Sequence, residues 1–350
     1  MILSDSEKAR LDNLFNNLHE HKIDKDSRVL IVDGMNTFIR SFSAVPTLND
    51  NGLHIGGISG FLMSIGSAIK LLNPTRVIVV FDGEGGSLKR RKMYSGYKNG
   101  RRTKVRLNRT YSELTSMNIE NKNMEIEFSR IIEYLKILPV TIISMNQIEA
   151  DDTIAFLART AFAKSKEIFI MSTDKDFLQL ASENVKIWSP TKKLLYDCNQ
   201  IKKEYNVYCN NFIFYRIMEG DVSDNIPGIK GAGLKTIIKA FPFITESEQL
   251  KLENFIIYAK NNIDKLKIYA KIVEGEDILI RNYNLMQLTE TLIQPFTQLK
   301  ITDILTKQIP HLNDFKFIQM INDDGINVLA ENYDYNKWKN DVWSRLNLYN

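Results

Sequence analysis

The sequence predicts an α/β protein with a mostly parallel central sheet and flanking helices. Three observations carry that expectation: short β-branched runs recur, helical patterns lie between them, and the runs end at polar or glycine-containing turns. The runs are Arg28–Asp33 (RVLIVD), Arg76–Asp82 (RVIVVFD), Val140–Ser144 (VTIIS), Glu167–Met171 (EIFIM) and Val185–Trp188 (VKIW). Each reads as a strand buried in the core. Helical patterns at about Gly57–Leu72, Glu125–Leu138, Ala150–Ala163 and Asp176–Ala181 separate them. Alternation of strand and helix favours parallel pairing.

In chain order, residues 1–27 read as a helical or frayed extension ahead of an α/β core at 28–197. Within that core, about 84–124 breaks the rhythm with Gly, Lys, Arg, Tyr and Asn, and it is too long for a plain connection. Such an insert is functional, mobile or both. From Gly85 to Thr110 it holds ten Lys or Arg residues and no Asp or Glu. Residues 198–295 read as helices, including segments near Asn211–Met218 and Leu234–Ala240, whereas 296–350 carry no motif and no repeat is visible.

Composition narrows the class. With 350 residues, 44% hydrophobic and 25% charged, the chain can bury a real core. No apolar run reaches membrane-spanning length and the N-terminus is charged and amphipathic, so a cytoplasmic protein without membrane contact is expected. Cys198 and Cys209 have no His at zinc spacing, and the expectation is two ordinary reduced thiols. A net charge of +4 says little about partners, but the concentration of cations in one block does.

The chemistry lies in the acids. Asp33 ends the first strand and Asp82 the second; Glu149, Asp151 and Asp152 follow the third in IEADDTIA; Asp174 and Asp176 follow the fourth in STDKDF. Ligand sites in open parallel sheets gather at the carboxyl ends of strands, so these side chains are expected to converge. Singly, each has an ordinary explanation as a turn residue or as an acid in a first helical turn. Together, seven carboxylates on one edge would repel one another unless cations neutralised them. All-oxygen donors point to two hard ions such as Mg²⁺, with Mn²⁺ as substitute, and a pair about 4 Å apart suits phosphodiester hydrolysis. Further on, GDVSDNIPGIKGAGLKTI adds Asp221 and Asp224 and a glycine-rich turn before Lys235, a pattern that either lets backbone approach a phosphate or serves to pack two helices.

The ordered series IVDG, VFDG, EADD, STDKD and GDVSDNIPGIKGAG resembles the flap endonuclease/5′–3′ exonuclease family, over about Arg28–Phe243. The resemblance implies a PIN-like 5′-nuclease fold with a helical arch in the insert and a helix–three-turn–helix at about 219–243. It implies a first metal site from Asp33, Asp82, Glu149, Asp151 and Asp152, shared through Asp174 with a second from Asp176, Asp221 and Asp224. Nucleic acid would meet Arg90, Tyr94, Tyr97, Lys98, Arg101, Arg102, Gly228, Gly231, Gly233 and Lys235. Among these, Lys98 and Arg101 would act with Asp174 at the scissile phosphate, and Tyr97 would stack on an unpaired base or, like Tyr94, simply pack in the core. The helix–three-turn–helix would grip duplex backbone and hold a K⁺ ion.

The implied activity is metal-dependent cleavage at 5′ ends, flaps or RNA primers in DNA replication or repair, on branched or 5′-ended DNA or an RNA–DNA hybrid, by a monomer. Replication partners are not legible. Two rivals are a structure-selective DNA-binding protein of the same fold without hydrolysis and a PIN-type ribonuclease. The chain ends at 350 without a polymerase region, so a separate nuclease is expected, and its Asn/Ile/Lys-rich composition and stand-alone arrangement resemble those of phage replication enzymes, which would act in host cytoplasm.

Overall fold

The computed structural model describes residues 24–99, 116–246, 248–290, 292–326 and 335–349. Most of the 1–27 extension, and Arg101 and Arg102 of the insert, therefore lie outside the described residues. Six strands form the main sheet: β1 (Arg28–Asp33), β2 (Arg76–Asp82), β3 (Thr141–Met145), β4 (Glu167–Met171), β5 (Val185–Ser189) and β6 (Leu194–Tyr196). Their order across the sheet is β3-β2-β1-β4-β5-β6. β1 pairs in parallel with β2 and β4, β2 with β3 and β4 with β5, while β6 joins antiparallel. The strand order thus reverses beside β1, the position at which open α/β sheets form their ligand crevice.

Side-chain alternation along the strands feeds two cores. Val29 and Ile31 of β1 join Ile78, Val80, Ile168 and Ile170 on one face; Leu30 and Val32 join Val77, Val79, Phe169 and Met171 on the other. The second face is covered by α1 (Gly34–Ala44), α2 (Gly56–Leu72) and, after the short α3 (Leu88–Met93), by α4 (Met117–Ile137). The first is covered by α5 (Ala150–Phe156), which runs into a π turn at Leu157–Ala161. One apolar cluster then continues through α6 (Cys198–Tyr205), α7 (Phe212–Glu219), α8 (Leu234–Ala240), α9 (Leu252–Asn261), α10 (Lys267–Glu274), α11 (Glu276–Met286) and α12 (Pro295–Thr306). A two-stranded ladder, β7 (Gly220–Asp221) with β8 (Ile226–Pro227), links α7 to the glycine-rich turn.

The C-terminal segment packs behind α2 and α4 through α13 (Asp314–Asp323) and α14 (Tyr335–Lys339). Trp338 lies against Gly66, Phe317 packs edge-on to Tyr134 at 5.7 Å, and Arg130 pairs with Asp324 at 2.9 Å.

Several expectations need correction. Gly34–Ala44 is a helix that the sequence does not announce, because Gly, Asn, Thr and Ser are weak helix formers; burial of Phe38 and Phe42 overrides them. The helix expected from Glu125 starts at Met117, where Ser116 caps it by accepting from the Ile119 amide at 3.3 Å. Lys175–Leu180 is a 3₁₀ turn. Cys198 and Cys209 are not free thiols but a disulfide: left-handed Asn206 (φ 51) ends α6 and turns the chain back, leaving their Cα atoms 5.1 Å apart.

Candidate active site

Acids from four strand ends meet where the strand order reverses. Asp33 closes β1 and caps α1, one carboxylate oxygen accepting from the Asn36 amide at 3.1 Å and the other from Ser172 Oγ at 2.9 Å. Ser172 follows β4, and its Oγ also accepts from the Asp174 amide at 3.1 Å, so a single hydroxyl ties the two central strand ends together. Asp174 caps the 3₁₀ turn, accepting from the Asp176 amide at 2.8 Å. Asp82 accepts from the Ala150 amide at 2.8 Å, which fixes the start of α5 and with it Glu149, Asp151 and Asp152. Asp221 and Asp224 arrive on β7 and its turn, with Asp221 accepting from the Ser223 amide at 2.7 Å and the Asp224 amide at 3.1 Å.

Burial and mutual repulsion hold several of these carboxyls above their ordinary range. Burial, aided by Asp82, raises Asp33 to about 6. Burial and then Asp176, Asp33 and Asp221 raise Asp174 to about 7. Asp151 is also raised, by burial and by Asp174, Asp33 and Glu149, against the pull of Lys98. Asp176 follows the same direction, burial outweighing the nearby Arg216. The acids therefore lie within electrostatic reach of one another.

Cations sit among them. Arg90, only 3% exposed, donates from Nη1 to Glu149 Oε2 and Asp152 Oδ2, both at 2.6 Å, and from Nε to the Leu285 carbonyl at 2.8 Å. Lys98 Nζ pairs with Glu149 Oε1 at 2.6 Å, and the Tyr97 hydroxyl donates to Glu149 Oε2 at 3.0 Å. Burial would raise Glu149, yet Lys98 and Arg90 bring it below its ordinary value. Arg216, 5% exposed, bridges Asp176 and Asp221 at 2.7 Å each and Glu219 at 2.8 Å.

This geometry corrects one expectation, at Arg90, and favours the packing reading at Tyr97. Arg90 was expected at nucleic acid, but α3 turns it inward, where it neutralises Glu149 and Asp152. Tyr97, expected to stack on a base or to pack, is 3% exposed with its ring in the core and its hydroxyl on Glu149. Tyr94 is half-buried, with the Arg281 guanidinium 4.4 Å over its ring. Lys98 does stand at the acids, in a left-handed conformation (φ 52) with its amide donating to the Asp224 carbonyl at 2.8 Å. Arg216 was missed: a lone Arg in the apolar run FIFYRIME, five residues before Asp221, was the available signal.

The glycine-rich turn abuts this cluster. Gly220 (φ 80) and Gly228 pack backbone against backbone, and a methyl at either would overlap main-chain atoms. Gly231 is left-handed (φ 92), while Gly233 and Lys235 face solvent. The Asn225 side-chain amide donates to the Gly96 carbonyl at 2.8 Å, joining the turn after β7 to the base of the insert. A cavity of about 550 Å³ opens beside it, lined by Asn36, Asp174, Arg216 and Asp221.

Among the described residues, no three His, Cys, Asp or Glu side chains already form a ready-made metal shell. Arg90, Lys98 and Arg216 draw the outer acids away. The donor set nonetheless fits a hard divalent ion, because it is all oxygen and because Asp33, Asp151 and Asp174 have no ion pair of their own among the described residues.

Residues 28–206 match the family described as 5′-3′ exonuclease, N-terminal resolvase-like domain. The chain is 34% identical over 209 residues to a 5′-3′ exonuclease of Aquifex aeolicus, covering 59% of this chain and 66% of that protein. It is 30% identical over 268 residues to the flap endonuclease Xni of Shewanella denitrificans, covering 74% and 92%. Against DNA polymerase I of Bacillus subtilis it is 30% identical over 255 residues, covering 71% of this chain but 26% of the polymerase. The chain thus spans just under two thirds of the Aquifex relative and about a quarter of the polymerase. In fold it is similar to the flap endonuclease of bacteriophage T5 solved with DNA and metal ions, with a TM-score of 0.58 at 19% identity over 84% of this chain and 99% of that one.

Proposed function

Because the chain belongs to the 5′–3′ exonuclease family, we propose that it is a metal-dependent 5′ nuclease. It hydrolyses phosphodiester bonds at 5′ ends, flaps or RNA primers, acting as a monomer on branched or 5′-ended DNA or an RNA–DNA hybrid. The observation that carries the reading is the imbalance of charge at the strand-order reversal, where desolvated Asp33, Asp151 and Asp174 have no ion pair among the described residues.

Mg²⁺ ions are the proposed counterions, held by Asp33, Asp82, Glu149, Asp151, Asp152 and Asp174 and by Asp174, Asp176, Asp221 and Asp224. When bound they supply a polarised phosphodiester and an activated water. The chain's own residues prepare the place. Ser172 holds Asp33 and Asp174 in register, Arg90 fixes Glu149 and Asp152 from behind, and Lys98 brings a cation to the rim where a phosphate would lie. Arg101 and Arg102, outside the described residues, are proposed to contact the nucleic acid, and Gly228, Gly231, Gly233 and Lys235 would meet the adjoining duplex. A K⁺ ion at the glycine-rich turn is not part of this proposal, since the Pro227 and Lys230 carbonyls already accept from protein cations.

The test is a side-by-side digestion of 5′-flap DNA, RNA–DNA hybrid and single-stranded RNA in Mg²⁺. Cutting of the flap is expected; binding without cutting, or cutting of single-stranded RNA alone, would reject the reading.

A further inference from the structure

Two cationic side chains, Lys271 and Arg281, are aimed at carbonyls of the glycine-rich turn. Lys271, on α10, donates from Nζ to the Lys230 carbonyl at 2.9 Å, and the space that a side chain on Gly231 would enter is 3.6 Å from the same nitrogen. Arg281, on α11, donates from Nη2 to the Pro227 carbonyl at 3.3 Å. The buried Asn282 amide shares that carbonyl at 3.0 Å while also donating to the Ile217 carbonyl at 2.9 Å, so the turn is bound to the helices beneath it. The Arg281 guanidinium is held in place by stacking on Tyr94 and by bonding Asn282 Oδ1 at 3.0 Å.

A monovalent metal ion in a backbone turn is held by carbonyl oxygens that have given up their hydration. Here two carbonyl oxygens of the turn already accept from positive side chains, and an added cation at either would face like charge. The residues present do not fit the potassium ion that the family resemblance implied.

We propose that Lys271 and Arg281 are the resident cations of this turn, so that the chain holds duplex backbone without a monovalent metal ion. Both are positioning residues: they fix the turn's carbonyls and add positive charge beside bound phosphate. The DNA part of the statement rests on the nuclease reading; the ion part does not.

The experiment compares KCl with choline chloride at equal ionic strength, since affinity for a polyanion varies with salt concentration whatever the cation. Binding of a fluorescent 5′-flap duplex is measured in EDTA, where no cleavage occurs. Wild type is expected to bind equally within about twofold in the two salts, while Lys271→Met weakens binding roughly fivefold in choline chloride and recovers part of it in KCl. Tighter wild-type binding in KCl by about fivefold or more, or equal weakening of the variant in both salts, would overturn the proposal. Absence of flap binding in every salt would count against the nuclease reading instead. A second arm then decides the ion question without DNA: the wild-type melting temperature should not distinguish the salts, whereas that of Lys271→Met should rise in KCl. A potassium-dependent wild-type melting temperature overturns the inference.

Discussion

The acid cluster has two halves built from the same kind of side chain, and they differ in whether a cation pairs with them directly. On the Glu149–Asp152 side, Arg90 and Lys98 supply buried, hydrogen-bonded partners, and Glu149 stays ionised. On the Asp33–Asp151–Asp174 side there is no ion pair among the described residues, and burial pushes the carboxyls toward the neutral form. The first half already has its countercharges in place, finished in charge before any ion binds. The second half is electrostatically incomplete, which is the condition under which a bound ion contributes most.

The largest effect that should separate the halves is on cleavage. Asp151→Ala and Asp174→Ala are each expected to reduce flap cleavage in Mg²⁺ by about a thousandfold or more while duplex binding in EDTA changes little. Single-turnover rates beside anisotropy titrations check this, and wild-type cleavage by either variant would dissolve the distinction.

Removing the cation from the finished half should act on stability instead. Arg90→Ala leaves buried Asp152 without the cation that pairs it and Glu149 with Lys98 alone, and is expected to cost about 3–5 kcal/mol in a urea melt. Arg90→Lys, which keeps charge but loses the fork that reaches both acids, should cost less. Equal stability of wild type and Arg90→Ala would show that these acids are not held by pairing.

The incomplete half should also report itself through pH. Asp33 and Asp174 titrate at about 6 and about 7 in the folded chain against an ordinary 3.8, so the folded state binds more protons between those values. The contribution of these two groups to the stability of the metal-free protein is thus full below about pH 4 and declines as pH rises through about 7. Mg²⁺ should oppose the decline, and Asp174→Asn should flatten it. Melting temperatures at about pH 5 and pH 8, with and without Mg²⁺, measure both. A metal-free protein more stable at the higher pH would contradict the charge imbalance.

Smaller still is the effect at Arg216, the cation shared between Asp176 and Asp221. With Arg216→Gln, metal-free stability is expected to fall by about 1–3 kcal/mol and to become more responsive to Mg²⁺, since an ion then has those two acids to itself. An unchanged Mg²⁺ response would show that Arg216 and the ion do not share partners.

The sheet and the acids were legible because both leave local marks: β-branched runs of strand length, four of the five ending at or leading into acids. Partners of those acids were not. Arg90 lies in the block LKRRKM, where composition reads as solvated surface, and only the short helix α3 decides that Arg90 faces inward while Arg91 and Lys92 face out. Ser172 looks like any residue after a strand until Asp33 is brought beside it from 139 residues away. The disulfide depended on a left-handed turn at Asn206 that spacing alone does not announce.

The glycine pair at positions 220 and 228 has a consequence for where a bond is cut. Asp221 follows one of these glycines directly, and the turn proposed to hold duplex begins at the other. With no side chain between them, the gap from acid to turn is one backbone thickness and cannot relax. With the turn gripping duplex as proposed, that contact would act as a ruler: the number of nucleotides between the gripped phosphates and the severed bond would be a dimension of the main chain. Gly228→Ala should therefore scatter the positions of cleavage on a flap as well as slow it.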